Sequence, residues 1–265
     1  MLNEHFTPEQ CALICADLAH LRLLADLKLA PSIPYFAEKP YPIGRCREIR
    51  DEVFALLQTV LPTTKKPGLS LLKNLIVQGS SLQKAWGSLR DEYFQNALIL
   101  GPWYIDVAND TVNANKPRIE ILSLATSNFT SIKDFAQFVK IARRYWKVDV
   151  YRNDVCPALA PYMPLLCVGT SGTSWLGAAN DDMLNVAINS NFEESKRILD
   201  SLPCAPVKVK ERWKKVLSNF DHNDFLLSVG EPISYCTMYS KHSYQTDLTK
   251  RDAAVTAYLS LPKSV

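Results

Sequence analysis

Apolar positions recur every three or four residues over the first third of the chain, then alternate singly through the middle. Leu13, Ile14, Leu18, Leu21, Leu24 and Leu27 form a broad helical stripe. Pro8 opens it, with Thr7 as the natural N-cap. A second helical run extends from about Arg45 to Leu61 and stops at Pro62. Between them, Pro31, Pro34, Pro40 and Pro42 and the aromatics Tyr35, Phe36 and Tyr41 predict an extended surface segment. Residues 69–77 are ambiguous. Ser80 or Ser81 is a candidate cap for a helix running through Trp86, Leu89, Tyr93 and Phe94 towards Ala97.

The cleanest alternation lies at residues 99–107 and 118–124, which predict an antiparallel strand pair joined by an Asn/Asp-rich turn. Ile132, Phe135, Phe138, Val139 and Ala142 then mark a helix over 131–145, expected to cover the apolar face of that pair. Strands are expected near 147–151, 164–168 and 231–240, and helices near 181–188, 192–202, 209–220 and 247–259. Thr246 is a candidate cap for the last of these. Helices first, mixed elements next and helices last predict an α+β fold: a central mixed sheet wrapped by helices at both termini. With no long linker, residues 1–265 are expected to form one domain, mainly helical through residue 97.

Composition narrows the class only slightly. Hydrophobic residues make up 47% and charged residues 22%, the usage of a globular chain able to bury its own core. A net charge of +3, with acids interspersed among the bases, gives no footprint for nucleic acid. The basic run from Lys208 to Lys215 reads as a solvated helix face. Only 9 glycines stand against 16 prolines, which argues against a doubly wound nucleotide fold with its glycine-rich phosphate turns. The seven cysteines form no C-x-x-C pair, Met1 to His5 carries no basic leader, and charges interrupt the apolar run at 11–30. The expectation is a cytoplasmic protein with free thiols and no membrane span.

Three strands carry an acid between apolar neighbours: Asp106, Glu120 and Asp149. Carboxylates at the ends of adjacent strands suit Mg²⁺ or Mn²⁺, so these three are the candidate metal ligands and a divalent ion the candidate cofactor. Asp106, Asp110 and Glu120 are the candidate catalytic acids. Solvated acids on a half-buried sheet produce the same pattern. Trp103 and Tyr104 could line a pocket beside them, although such aromatics also build cores. The cluster Gly169 to Gly177 follows a buried strand and precedes a possible helix. Thr170, Ser171 and Gly172 are therefore candidate anion-binding positions on outward N–H groups. Cys156 is the better placed of two candidate thiols, since Cys167 lies within an apolar run.

The order hairpin acid, acid on the paired strand, then helix resembles metal-dependent nucleases of the restriction-enzyme type. Those usually carry a lysine two residues after the second acid, where this chain has Leu122. His222-Asn223-Asp224 has the H-x-D form of non-haem iron oxygenases, but His242 follows too closely for their distal histidine. Two functions remain open. One is a cytoplasmic enzyme performing metal-assisted hydrolysis or group transfer on a small-molecule or peptide ligand at an acid-lined pocket. The other is a non-catalytic interaction or effector protein that docks through the Pro/aromatic segment 31–43.

Overall fold

A computed structural model of the chain describes residues 6–36 and 38–265. Residues 1–5, where no leader was read, and Ala37 of the Pro/aromatic segment lie outside the described residues. The fold is α+β, as the order of periodicities predicts. The chain divides into two compact units, one of Met1–Arg90 and Phe94–Ser131, the other of Asp91–Tyr93 and Ile132–Val265.

The first unit starts with α1 (Pro8–Ser32), whose Thr7 and Gln10 form a reciprocal capping box. A two-residue hairpin follows, β1 (Tyr35–Phe36) against β2 (Lys39–Pro40), and then α2 (Cys46–Val60) and α3 (Pro67–Val77). Next come β3 (Leu82–Leu89), β4 (Tyr93–Leu100), β5 (Trp103–Asp106), β6 (Glu120–Ser123), the short α4 (Leu124–Ser127) and β7 (Phe129–Thr130). The five strands form one sheet in the order β6-β5-β4-β3-β7. Ile14, Leu18 and Leu21 of α1, Ile49, Val53 and Leu57 of α2, and Leu69 and Leu72 of α3 share one core with Leu98, Leu100 and Ile105 of the sheet.

The second unit contains α5 (Phe135–Tyr145), β8 (Asp149–Arg152), β9 (Leu165–Val168), β10 (Ser174–Gly177), α6 (Asp181–Asn189), α7 (Glu193–Ser201), α8 (Val207–Leu217), α9 (Asp224–Leu227), α10 (Pro232–Lys241) and α11 (Leu248–Ser260). Its antiparallel sheet has the order β10-β9-β8. Helices α5 and α7 both pack against β8. The rings of Tyr162, Phe192 and Tyr239 meet edge-on or tilted, with centroids 5.1–6.0 Å apart, and join the loop after β8 to α7 and α10.

Several element assignments differ from the sequence expectation. Residues 80–97 are not a helix but the hairpin β3–β4, turned by Arg90 and Asp91 at φ 59° and 53°. Two left-handed residues suit a strand-joining turn, yet neither is the Gly or Asn that normally announces one. The expected strand 99–107 breaks at Gly101-Pro102, so β4 and β5 fold back on each other, pairing Leu98 with Ile105. The expected pairing with the next strand is present, from Trp103 opposite Ser123 to Asp106 opposite Glu120. Residues 231–240 form a helix rather than a strand: Pro232 is at its first turn, and Pro232, Cys236 and Tyr239 are buried at helical spacing. The Asp247 side chain caps α11, in place of Thr246. The strands therefore build separate sheets, with antiparallel register wherever pairs are defined, rather than one mixed sheet.

Candidate functional site

Two of the expected acids meet in the first unit. Asp106 closes β5 and lies directly opposite Glu120 of β6, so both side chains leave the same face of the sheet. The Asp106 side chain is completely buried, while Glu120 is half-buried. One Asp106 oxygen, Oδ1, accepts the Ala108 N–H at 2.8 Å. The other, Oδ2, accepts the Gln95 side-chain amide, with the Tyr104 hydroxyl 3.3 Å away. Gln95 is fixed in turn by the Asn96 N–H, which donates to its Oε1 at 3.0 Å. Burial raises the Asp106 pKa to about 7. The Ala108 N–H works against that rise, and the neighbouring Glu120 charge adds to it. Asn96 also donates to Cys46 Sγ at 3.3 Å, and burial pushes that thiol up.

Asp110 has a different role. The Arg22 guanidinium, wholly buried on α1, grips it with two bonds of 2.8 and 3.2 Å. Arg22 also donates to the Val107 carbonyl at 2.9 Å and to Asp26 at 2.7 Å. Burial disfavours the Arg22 charge, but the bonds to Asp110 and Asp26 outweigh it and raise its pKa. Asp26 further accepts the Tyr41 hydroxyl and Arg118, the latter at 3.1 Å. This network ties α1 to the strand-end loop after β5. The Arg22–Asp26 pair has i, i+4 spacing on a helix, a signal of pairing present in the sequence itself.

The third expected ligand does not join them. Asp149 is exposed and begins β8, a strand of the other sheet in the other unit. Among the described residues, no group of three or more His, Cys, Asp or Glu side chains is placed to hold a metal ion. His222 and Asp224 are exposed, and Asn223 between them caps α9 through its side chain. Trp103 and Tyr104 are core residues, stacked on Phe6 at 4.5 Å and tilted against Phe129 at 5.3 Å.

The glycine cluster is a strand-to-strand turn, not the entry to a helix. Gly169 donates to the Thr173 carbonyl at 2.8 Å and Gly172 to the Gly169 carbonyl at 2.8 Å, so both N–H groups are used inside the turn. Thr170 and Ser171 are exposed, Ser171 shares a hydrogen bond with Thr173 at 2.8 Å, and β10 follows directly. The next helix, α6, starts only at Asp181 and is capped by Asn180. Cys156 and Cys167 are fully buried, and burial pushes both thiols up to about 12, the opposite of activation.

Two surface grooves lie away from these acids. One of about 480 Å³ in the first unit is lined by Phe54, Leu61, Lys73, Ile76, Val77 and Leu82. The other, about 630 Å³ in the second unit, runs between α5 and α7 past Val139, Lys140, Arg143, Arg144, Ile198 and Leu202.

The most exposed aromatics of the first unit belong to the β1–β2 hairpin, where Tyr35 is 65% and Phe36 50% accessible. The Arg45 guanidinium lies 5.2 Å from the Phe36 ring centroid and donates to the Tyr35 carbonyl. Gly44, at φ 76°, lets the same ring lie where a Cβ would stand 2.4 Å from it. The hairpin base is tied down by Tyr41 N–H to the Pro34 carbonyl at 2.8 Å and Gly44 N–H to the Thr111 carbonyl at 3.0 Å.

No protein-family model matches the chain, and no curated protein or solved structure shows significant similarity to it.

Proposed function

We propose that the chain is a non-catalytic interaction protein that docks a partner protein through its β1–β2 hairpin. One observation carries this reading: Tyr35 and Phe36 are both exposed, on a strand whose neighbours Arg45 and Tyr41 bond to Tyr35 and Pro34. Exposed aromatics that insert into a partner's pocket are effective interface anchors. Glu38 and Lys39 are both exposed on the hairpin and offset each other, so the fitting partner is recognised by an apolar cavity for Tyr35. A cytoplasmic setting agrees with seven free cysteines. No helix among the described residues is long and apolar enough to cross a membrane.

The metal-assisted hydrolase or transferase reading keeps one favouring observation, the Asp106 pKa of about 7, which suits a general acid or base. Complete burial and three internal hydrogen-bond donors leave that carboxyl without a face for substrate.

A photoreactive phenylalanine analogue placed at Tyr35 tests the docking reading in extract from the native cell. Docking predicts a discrete adduct that unlabelled protein competes away and that a Tyr35→Ala/Phe36→Ala competitor does not. Equal competition by both proteins, or only diffuse labelling, refutes it.

A further inference from the structure

The groove between α5 and α7 carries charge of one sign. Lys140, Arg143 and Arg144 of α5 line it, and among the described residues no carboxylate does. Glu92 answers one of these cations, holding Arg144 at 3.0 Å. Arg143 donates to the Val150 carbonyl at 3.2 Å, which orients its guanidinium without neutralising it. Lys140 is exposed and has no ion-pair partner among the described residues. The two unanswered cations are three residues apart on α5 and so share one helix face. Cations in the last turn of a helix complement its dipole. That does not require acids to be kept off the facing side, where Ile198, Ser201 and Leu202 stand.

The floor between the helices is aliphatic. Val139, Ile198 and Leu202 line it, yet they are only 5%, 7% and 8% accessible. They offer a narrow strip, too thin to seat the row of side chains by which a partner helix docks. From Ala136 to Arg143 the groove follows about 10 Å of helix, the length of a short alkyl chain.

We propose that this groove binds a small amphipathic anion, with a phosphate or carboxylate head between Lys140 and Arg143 and a short alkyl chain along Val139, Ile198 and Leu202. An oriented guanidinium offers paired N–H donors to either head, and the ammonium adds a second charge. A bare anion would leave the aliphatic strip wet, and a neutral chain would leave both cations unanswered. The groove volume of about 630 Å³ lies within the range of small-molecule sites, about 300–1,000 Å³. The groove belongs to the second unit and Tyr35 to the first, so this inference stands or falls separately from the docking reading.

Titration of the full chain with octyl phosphate and with octanoate tests it, followed by amide NMR shifts at residues 136–144 and 198–202. At least one of the two should saturate with a Kd of about 1 mM or below, as expected for so few ligand atoms. The tighter of them names the head. Octanol and inorganic phosphate should each bind at least tenfold more weakly. Lys140→Gln/Arg143→Gln should weaken the preferred anion at least tenfold. Ser201→Trp, which puts a bulky ring into the groove and leaves both cations in place, should do the same, and this arm holds even if the double variant misfolds. Absence of saturation by either anion, octanol binding as tightly as the anions, or binding indifferent to both variants overturns the proposal.

Discussion

Replacing Asp106 with Asn should change how the stability of the protein depends on pH. The folded carboxyl titrates near 7, against 3.8 for an ordinary aspartate, because burial disfavours its charge. A carboxyl raised in this way contributes stability that is whole below about 3.8 and is lost as pH rises through 7. The full loss is at most about 4 kcal/mol, from roughly three pKa units at 1.36 kcal/mol each. Between pH 5 and pH 8 the Asp106 share is about 2.5 kcal/mol. Asn carries no charge and removes that share, but its NH₂ faces the Gln95 amide, which already donates to this position. A mismatched buried donor costs about 1–2 kcal/mol. The variant should therefore be less stable than wild type at pH 5 and more stable at pH 8, the two profiles crossing between. Urea unfolding at half-unit pH steps measures both. Parallel profiles would show that Asp106 is ionised in the fold throughout and that the burial argument fails.

Arg22→Met should destabilise the protein by about 3–5 kcal/mol in urea, because it strands a buried Asp110, and Asp110→Leu added to it should restore most of that loss. Gly87→Ala should cost about 1–3 kcal/mol, since its Cβ would stand 2.3 Å from the Thr130 carbonyl and force β3 and β7 apart. Gly172→Ala, at φ 83° in an exposed turn, should cost about 1 kcal/mol by thermal melt and touch no ligand. Millimolar Mg²⁺ or Mn²⁺ should leave the melting temperature unchanged; a concentration-dependent rise would return Asp106 and Glu120 to metal binding.

Local signals with a single physical cause were legible in the chain. The Thr7 cap, the stop of α2 near Pro62, the stripe of α5 and the β5–β6 pairing all follow from period and capping chemistry. The β3–β4 hairpin was hidden because Trp86, Leu89, Tyr93 and Phe94 fall at near-helical spacing and Arg90-Asp91 lacks turn residues. In α10 the reverse happened: Ile233, Tyr235 and Thr237 alternate like a strand, yet Pro232 at its start favours a helix. The site was legible in part. Strand alternation puts Asp106 and Glu120 on one face, but the burial of Asp106 depends on Gln95, which lies on a strand that the helical spacing of its neighbours disguises. Asp149 failed as a partner because nothing local tells which sheet a strand joins.

Whether the strand acids serve architecture or chemistry can be read most directly from the Asp106 carboxyl itself. Carbon-13 labelling of aspartate, with the Asp106→Asn variant assigning the signal, allows the carboxyl shift to be followed by NMR against pH, with and without millimolar Mg²⁺. An architectural Asp106 predicts a midpoint near 7 that the cation does not move. A midpoint that Mg²⁺ drives down would contradict it and make Asp106 a group open to ligands, whereas a midpoint near 4 that Mg²⁺ leaves alone would show only that the Gln95, Tyr104 and Ala108 donors outweigh burial.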